Sequence, residues 1–585
     1  MVRLEGIAGS AGFAIGRASV VDGGLLGVTH RRIRPTEVDS ELARFDGAVE
    51  TSIFDLKQVT HKLKEGSTGA TGESSILDAY ILMLGDVTLR GAVETQVREG
   101  MKCAEWSLQT AIESMCSVLR HSDDPYLAER SHDFEFIRDR ILRSLSGQKE
   151  PRIVPDGEEP VIIVARDLSP AQTATLTKER VLGLVTAVGT RTSHTAILAR
   201  ALEIPAIVGV EGLLEHVGDE DMLVLDGVHG KLVVSPTKEV LAELEPKAKK
   251  YYEVARSLRA HRHEPTLTSD GVSITLLANI ELPVEAEIAL EHGARGIGLY
   301  RTEFLYIDRP TPPTEDEQYT AYRHVVETMG SLPVTLRTFD IGGDKFVSAI
   351  KMPRDINPAL GLRAVRLGLE QPELLKTQLR AMVRASAHGL IKIMVPMVAS
   401  LSELRAVRAL LAESVMEVDR AGHAHCEHID LGCMVEVPSA AILADEFARE
   451  AEFLSIGTND LVQYTLAVDR TSQELARLAS YFDPAIIRLI KGVIQASAFR
   501  QRPVSVCGTM ASDPLAAILL VGMGMRTLSM EASAIPEVKA ALSRVSLLEA
   551  TDAAGSAFEA TTAQALERGM FDQFGRLLKD LLDPE

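Results

Sequence analysis

His194 stands behind a Gly/Thr/Ser-rich loop in the run Gly189-Thr190-Arg191-Thr192-Ser193-His194-Thr195-Ala196-Ile197-Leu198-Ala199-Arg200. Thr192 or Ser193 is placed to cap a helix that begins there, and Ile197, Leu198 and Leu202 supply its apolar stripe. The first turn of a helix has unsatisfied N–H groups and the positive end of the dipole. An imidazole at that point lies beside a ready-made anion site, which suits a histidine that carries a phosphoryl group. A lone histidine on a lone helix is more often a core or capping residue. The case for chemistry at His194 therefore depends on a second site that binds a phosphorylated acid.

The C-terminal half supplies candidates for that second site. Arg301, Arg337, Lys345, Arg363 and Arg470 each fall at or just after a strand-like run, as do Glu436, Asn459, Asp460 and Cys507. Several guanidiniums on one face suit a ligand with both phosphate and carboxylate, because arginine binds each through two parallel hydrogen bonds. Glu436 and Asp460, with substrate oxygens and water, suit Mg²⁺, a hard ion that takes few protein ligands. Such charges would polarise a phosphoryl group and stabilise its transfer. Glu303 and Asp344 are read as orienting their neighbours. A cysteine like Cys507 is usually an inert buried thiol; beside such a site it becomes a candidate acid.

These residues need a scaffold. The chain has 585 residues, enough for roughly three or four domains. Residues 1–30 read as short strands with glycine turns; no helix follows Gly6, Gly9, Gly12 and Gly16, so they form no nucleotide loop. Helical spacing dominates from residue 35 to 147, with Thr36 and Asp39 resembling a capping box. One helical stretch is expected from Ser75 to Gly100. After Pro151 β-rich runs return, at Val161–Ala165, Val181–Thr186, Ala206–Val208, Asp221–Leu225 and Lys231–Val234. Eight further runs follow between residues 274 and 530, separated by helical segments. Eight βα units in about 280 residues suggest a (β/α)₈ barrel, in which chemistry gathers where strands end.

The expected fold class is multidomain α/β: a β/α domain with an inserted α-helical subdomain, then a (β/α)₈ TIM barrel. The expected boundaries are 1–30 with 149–236 for the β/α domain and 31–148 for the helical insert. A helical linker follows at 237–264, then the barrel at 265–548 and a helical tail at 549–585. In the tail, Phe571, Phe574, Leu577, Leu578 and Leu581 make an amphipathic pattern.

Composition excludes several classes. The hydrophobic content of 46% and charged content of 25% are those of a globular protein. A formal net charge of −20 without a Lys/Arg block disfavours nucleic acid. The five cysteines form no CxxC pair, which disfavours a disulfide framework or a zinc site. The longest apolar run, Leu515 to Met525, is too short to span a bilayer, and a reducing cytoplasm is the expected compartment.

At these residues the chain closely resembles enzyme I of the phosphoenolpyruvate-dependent phosphotransferase system. The motifs are TSHTAILARALEIPAIVG, GIGLYRTEFLYIDR, LRTFDIGGDK, NPALGLRAVR and SIGTNDLVQYTLAVDR, and the likeness runs from the glycine-rich start to about residue 548. The resemblance implies transfer of the phosphoryl group of phosphoenolpyruvate to the enzyme's own histidine, then to a histidine of the small phosphocarrier HPr. It implies His194 as the phosphorylated residue of a swivelling domain. Arg301, Arg337, Arg363, Arg470 and Asn459 would bind phosphoenolpyruvate, with Lys345 near its phosphate. Glu436 and Asp460 would hold Mg²⁺, and Cys507 would protonate the enolate. It also implies a homodimer through the barrels and HPr docking on the helical subdomain.

Three departures stand out. Thr190 replaces the second of two glycines before the TSH motif, Thr509 and Ser512 replace a Glu and a Gly after Cys507, and Tyr80 replaces a histidine. The carrier is left open between the sugar type and the nitrogen-regulatory type. A dikinase relative would need an ATP-binding domain for which the chain has no room. A sensor without turnover would not need His194, Glu436, Asp460 and Cys507 together.

Overall fold

In the computed structural model the described residues are 1–21, 28–66, 80–81, 83–120, 131–147, 159–168, 176, 180–189, 193–306, 311–342, 357, 359–469, 475 and 478–582. They fall into two compact units, Met1–Tyr251 and Tyr252–Glu585.

The first unit is built on eight strands: β1 (Val2–Glu5), β2 (Ile7–Ser10), β3 (Phe13–Val21), β4 (Val161–Ala165), β5 (Val181–Thr186), β6 (Ala206–Val208), β7 (Met222–Asp226) and β8 (Lys231–Val234). They form one sheet in the order β1-β8-β7-β3-β4-β5-β6-β2. The run β3-β4-β5-β6 is parallel, and the other pairings are antiparallel. β4 is buried at all five positions, VIIVA, the continuous apolar run of a strand covered on both faces.

Between β3 and β4 the chain makes helices Val38–Gly66, Val87–Arg98, Ala104–Arg120 and Ser131–Leu145. Phe45, Leu56, Val93, Leu108, Ile112, Ile137 and Ile141 close a core of their own there. Two local readings change. The entry to the first helix is fixed by the Arg34 N–H donating to Glu37 at 2.8 Å, not by Thr36 and Asp39. The stretch expected as one helix up to Gly100 is interrupted at Asp86. Asp86 has an extended ψ of 124° and its carboxylate accepts the Thr88 N–H at 2.7 Å, an N-cap that starts a new helix. The charged pattern after Thr237 is the helix Lys238–Ala260, which has no buried residue and carries Pro246 inside it.

The second unit contains β9 (Thr266–Leu267), β10 (Ser273–Ile280), β11 (Ile297–Arg301), β12 (Val334–Arg337), β13 (Ile391–Val395), β14 (Asp430–Val435), β15 (Leu454–Ile456), β16 (Val504–Val506) and β17 (Thr527–Glu531). β10 to β17 pair in parallel, each with the next, and β17 returns to β10, which closes the barrel. All eight expected runs are barrel strands. Alternation along each strand separates two faces. Leu336, Ile393, Val435, Leu454, Ile456 and Val506 pack outward among the helices, while Leu299, Met394, Met434, Phe453 and Cys507 form a separate inner cluster. In the tail, Leu566, Met570, Phe574 and Leu578 are buried in the barrel unit's core. Phe571 and Leu577 are exposed, so the expected apolar stripe is narrower than its sequence pattern. No helix among the described residues is long and apolar enough to cross a membrane.

Candidate active site

The C-terminal ends of the barrel strands bring the arginines together through shared carboxylates. Arg301 closes β11, and its Nη1 donates to Glu281, just beyond β10, at 2.5 Å. Arg337 closes β12; its Nη2 donates to Glu303 at 2.5 Å and its Nη1 lies 3.5 Å from Asp340 Oδ2. Arg363 arrives from the next loop and donates through Nη2 to Asp340 Oδ1 at 2.9 Å. Its Nη1 donates to the Tyr464 hydroxyl at 3.3 Å, and Tyr464 donates to the Ala359 carbonyl. Arg337 and Arg363 are 4% and 2% exposed. Guanidiniums so deeply buried are tolerable only when paired, and the carboxylates fix their direction. Arg337 Nε and the Thr458 hydroxyl oxygen are buried without a hydrogen-bond partner, so the site has polar capacity to spare for a ligand.

Two acidic residues complete the rim. Glu436 follows β14 directly and Asp460 lies in the first turn of the helix Thr458–Leu466; both are buried. Glu436 Oε1 accepts the Met397 N–H at 2.6 Å. Met397 holds a φ of 56°, a strained conformation for a non-glycine residue that here aims an N–H at the carboxylate. Gly457 faces Glu436 Oε2, and a Cβ there would lie only 2.8 Å from it. Burial pushes the Glu436 carboxyl up, repulsion from Asp460 and Asp340 adds to this, and Arg337 opposes it. The described rim sets five carboxylates (Glu281, Glu303, Asp340, Glu436, Asp460) against three guanidiniums (Arg301, Arg337, Arg363). Glu436 and Asp460 repel one another, and two buried carboxylates with hard oxygen donors so placed fit a divalent cation. Asn459 is held by Thr509, whose N–H and hydroxyl both donate to its Oδ1 at 3.0 and 2.9 Å.

Cys507 sits just beyond β16 on the inner face and is 3% exposed. Its Sγ accepts from the Ser455 hydroxyl at 3.2 Å and donates to the Ile456 carbonyl at 3.6 Å. Burial raises the thiol to about 11, although the Ser455 hydrogen bond works the other way. The thiol is therefore protonated at neutral pH and has a proton to give. Gly508 is required beside it, since a Cβ there would meet the Thr458 hydroxyl oxygen at 1.8 Å.

In the first unit, His194 is the first residue of the helix His194–Ala201, with Ser193 at the N-cap in extended conformation. Ser193 makes no side-chain cap bond, so the N–H groups of that turn are left to other acceptors. The buried face of the helix is carried by Thr195, Ala196, Ile197 and Ala199. Of the stripe expected from Ile197, Leu198 and Leu202, Ile197 is buried and Leu202 is half-buried against this unit's core, while Leu198 is only half-buried.

Arg301, Arg337, Arg363, Glu436, Asn459, Asp460 and Cys507 thus gather at one end of the barrel. Lys345, Arg470, Asp344, Thr190, Thr192 and the His194 side chain lie outside the described residues. Sequence reasoning missed Glu281, Asp340, Ser455 and Tyr464 as partners. Asp340 sits within LRTFDIGGDK and could have been found as the carboxylate three residues after Arg337.

Three family models match the chain: the N-terminal domain of PEP-utilising enzymes at residues 5–130, their mobile domain at 157–230 and their PEP-binding domain at 255–547. The chain is 40% identical over 551 residues to a phosphoenolpyruvate-protein phosphotransferase of Bacillus sp. (strain S), covering 94% of each chain. It is 40% identical to the protein of the same description from Staphylococcus aureus, covering 96% of this chain and 97% of the relative. A solved structure described as an NMR solution structure of Enzyme I (nEIt) is 34% identical; it matches 43% of this chain and 99% of that one, with a TM-score of 0.36.

Proposed function

The chain belongs to the family of PEP-utilising enzymes, and we propose that it transfers the phosphoryl group of phosphoenolpyruvate to His194 and from there to a histidine of an HPr-type carrier protein, releasing pyruvate. It is a phosphotransferase of the phosphoenolpyruvate-protein class. The observation that carries the site assignment is the joint burial of Arg337 and Arg363 on Asp340 at the rim that also holds Glu436 and Asp460.

Arg301, Arg337, Arg363 and Arg470 grip the carboxylate and phosphate of phosphoenolpyruvate, Lys345 lies near the phosphate, and the Asn459 amide donates to it. Because each described guanidinium is already oriented by a carboxylate, binding costs little reorganisation. An imidazole nitrogen of His194 attacks phosphorus; the N–P bond forms as the bond to the enol oxygen breaks. Cys507 gives its proton to the methylene carbon of the enolate, which yields pyruvate. The helix N-terminus under His194 then stabilises the phosphorylated side chain. The family generally uses a divalent metal; Glu436 and Asp460 would hold Mg²⁺ here, and it would supply Lewis-acid polarisation of the phosphoryl oxygens.

The protein acts in the cytoplasm and forms a homodimer through the barrel unit, where exposed Ile442, Leu443 and Phe499 leave apolar surface on the outer helices. The helical subdomain at 31–148 docks the carrier, while residues 1–30 with 149–236 form the phosphohistidine domain, joined by the 237–264 linker to the barrel at 265–548.

The test is incubation with ³²P-labelled phosphoenolpyruvate and Mg²⁺, without carrier. Acid-labile, base-stable label on the wild type and none on His194→Ala is expected. No label on the wild type overturns the activity, and label surviving on His194→Ala overturns the residue.

A further inference from the structure

A line of hydroxyls on the inner face of the barrel ends on Cys507. Ser505 Oγ donates to Ser455 Oγ at 3.0 Å, and Ser455 Oγ donates to Cys507 Sγ at 3.2 Å. Ser455 and Ser505 are register partners on β15 and β16. Their strand neighbours Leu454, Ile456 and Val506 pack outward, so both serines and Cys507 share the inner face. Ser455 is 1% exposed, whereas Ser505 is partly exposed and follows the exposed residues 501–503 at the start of β16. The line therefore runs from Ser505, in the middle of β16 and on the N-terminal side of Cys507, to a thiol packed among Leu299, Met394, Met434 and Phe453.

Buried hydroxyls in such surroundings are costly unless both their donor and acceptor capacities are used. Ser455 accepts from one side and donates to the other, which orders the protons in one direction, toward sulfur.

The geometry points to a proton relay in which Ser505 and Ser455 connect Cys507 to solvent through the floor of the barrel. This rests on Cys507 being the acid of the reaction. Once the thiol has given its proton to the enolate carbon, a thiolate remains in an apolar pocket while product still occupies the rim. The Ser455 O–H bond breaks as the S–H bond re-forms. The Ser455 oxygen takes the proton of Ser505, and the Ser505 oxygen takes one from hydronium or a water at the floor. One solvent proton is consumed per pyruvate formed, and no electrons change hands. Ser455 and Ser505 act through Cys507 and touch no substrate.

The full chain, Mg²⁺, phosphoenolpyruvate and ¹³C-labelled pyruvate in D₂O give a carrier-free test. Two quantities are read together: carbon label exchanged into phosphoenolpyruvate, and deuterium washed into the pyruvate methyl group. With the relay, the thiol equilibrates with solvent in each cycle, so deuterium accompanies carbon exchange. In Ser455→Ala and Ser505→Ala the proton taken from pyruvate is returned to it. Carbon exchange is expected to persist while deuterium per exchange falls by about three- to tenfold, a modest share of what positioned proton transfer supplies. Ser505→Thr keeps the hydroxyl and restores the ratio. Ser505, being partly exposed, is the substitution that folding tolerates best. An unchanged deuterium ratio in Ser505→Ala overturns the relay. Wild-type exchange and deuteration in Cys507→Ala instead removes the thiol as acid, and the relay falls with it.

Discussion

Asp340 and Arg363 form a pair of almost fully buried charges, Oδ1 to Nη2 at 2.9 Å, and the other oxygen of Asp340 lies 3.5 Å from Arg337 Nη1. One carboxylate thus spans two guanidiniums, one at the end of β12 and one from the loop that follows. Asp340→Ala takes the paired carboxylate from buried Arg363 and leaves Arg337 with Glu303 alone, and the expected loss of stability is about 3–5 kcal/mol. Asp340→Asn keeps the shape but not the charge. It should fold more stably than the alanine variant and raise KM for phosphoenolpyruvate by roughly tenfold through misaligned arginines. Thermal denaturation and initial rates check the two arms.

Arg301 is the most exposed of the three described rim arginines, with 28% of its side-chain surface accessible. Arg301→Ala should leave the fold intact and cut labelling of His194 by phosphoenolpyruvate by about a hundredfold. Back-transfer from phosphorylated carrier should be retained, because that step does not use the barrel rim. Equal loss of both half-reactions counts against this division of labour.

The Cys507 thiol, raised to about 11 by burial, reacts through its thiolate. At pH 8 the thiolate is about one part in a thousand of the total. Alkylation by iodoacetamide at pH 8 should therefore mark the exposed Cys426 first. Cys507 should be modified only slowly, with a rate that climbs as pH rises toward 11. Peptide mapping against pH follows this, and fast modification of Cys507 at pH 7 contradicts the environment described.

Gly508→Ala puts a Cβ 1.8 Å from the Thr458 hydroxyl oxygen and 3.0 Å from the Thr458 nitrogen. A cost of about 1–3 kcal/mol is expected from such overpacking, with reduced turnover because Thr458 precedes Asn459 and Asp460. Adding Thr458→Ala removes the nearer clash and should recover part of the stability. Chemical denaturation of the single and double variants gives the coupling; strict additivity excludes the contact as the cause.

Much of this was legible in the chain itself. The eight barrel strands and β4 to β6 were found because buried parallel strands read as short, continuous apolar runs bounded by polar loops. The helical insert was recognised by its spacing, but the break at Asp86 was not, since an N-cap is decided by one backbone angle. Arg337, Arg363, Glu436 and Asp460 were recognisable because their types and strand-end positions point to a phosphorylated acid.

The sequence by itself determined the order of elements, the class of chemistry and most of the groups that perform it, because periodicity and residue type are local properties. Only the tertiary structure decided which charge answers which: Glu281 for Arg301, Asp340 for Arg337 and Arg363, Thr509 for Asn459, and Ser505 through Ser455 for Cys507. Apart from Asp340 for Arg337, three residues along the same stretch of chain, those partners are set by the register of barrel closure. That register is fixed by packing between strands distant along the chain, and no local pattern of residues encodes it.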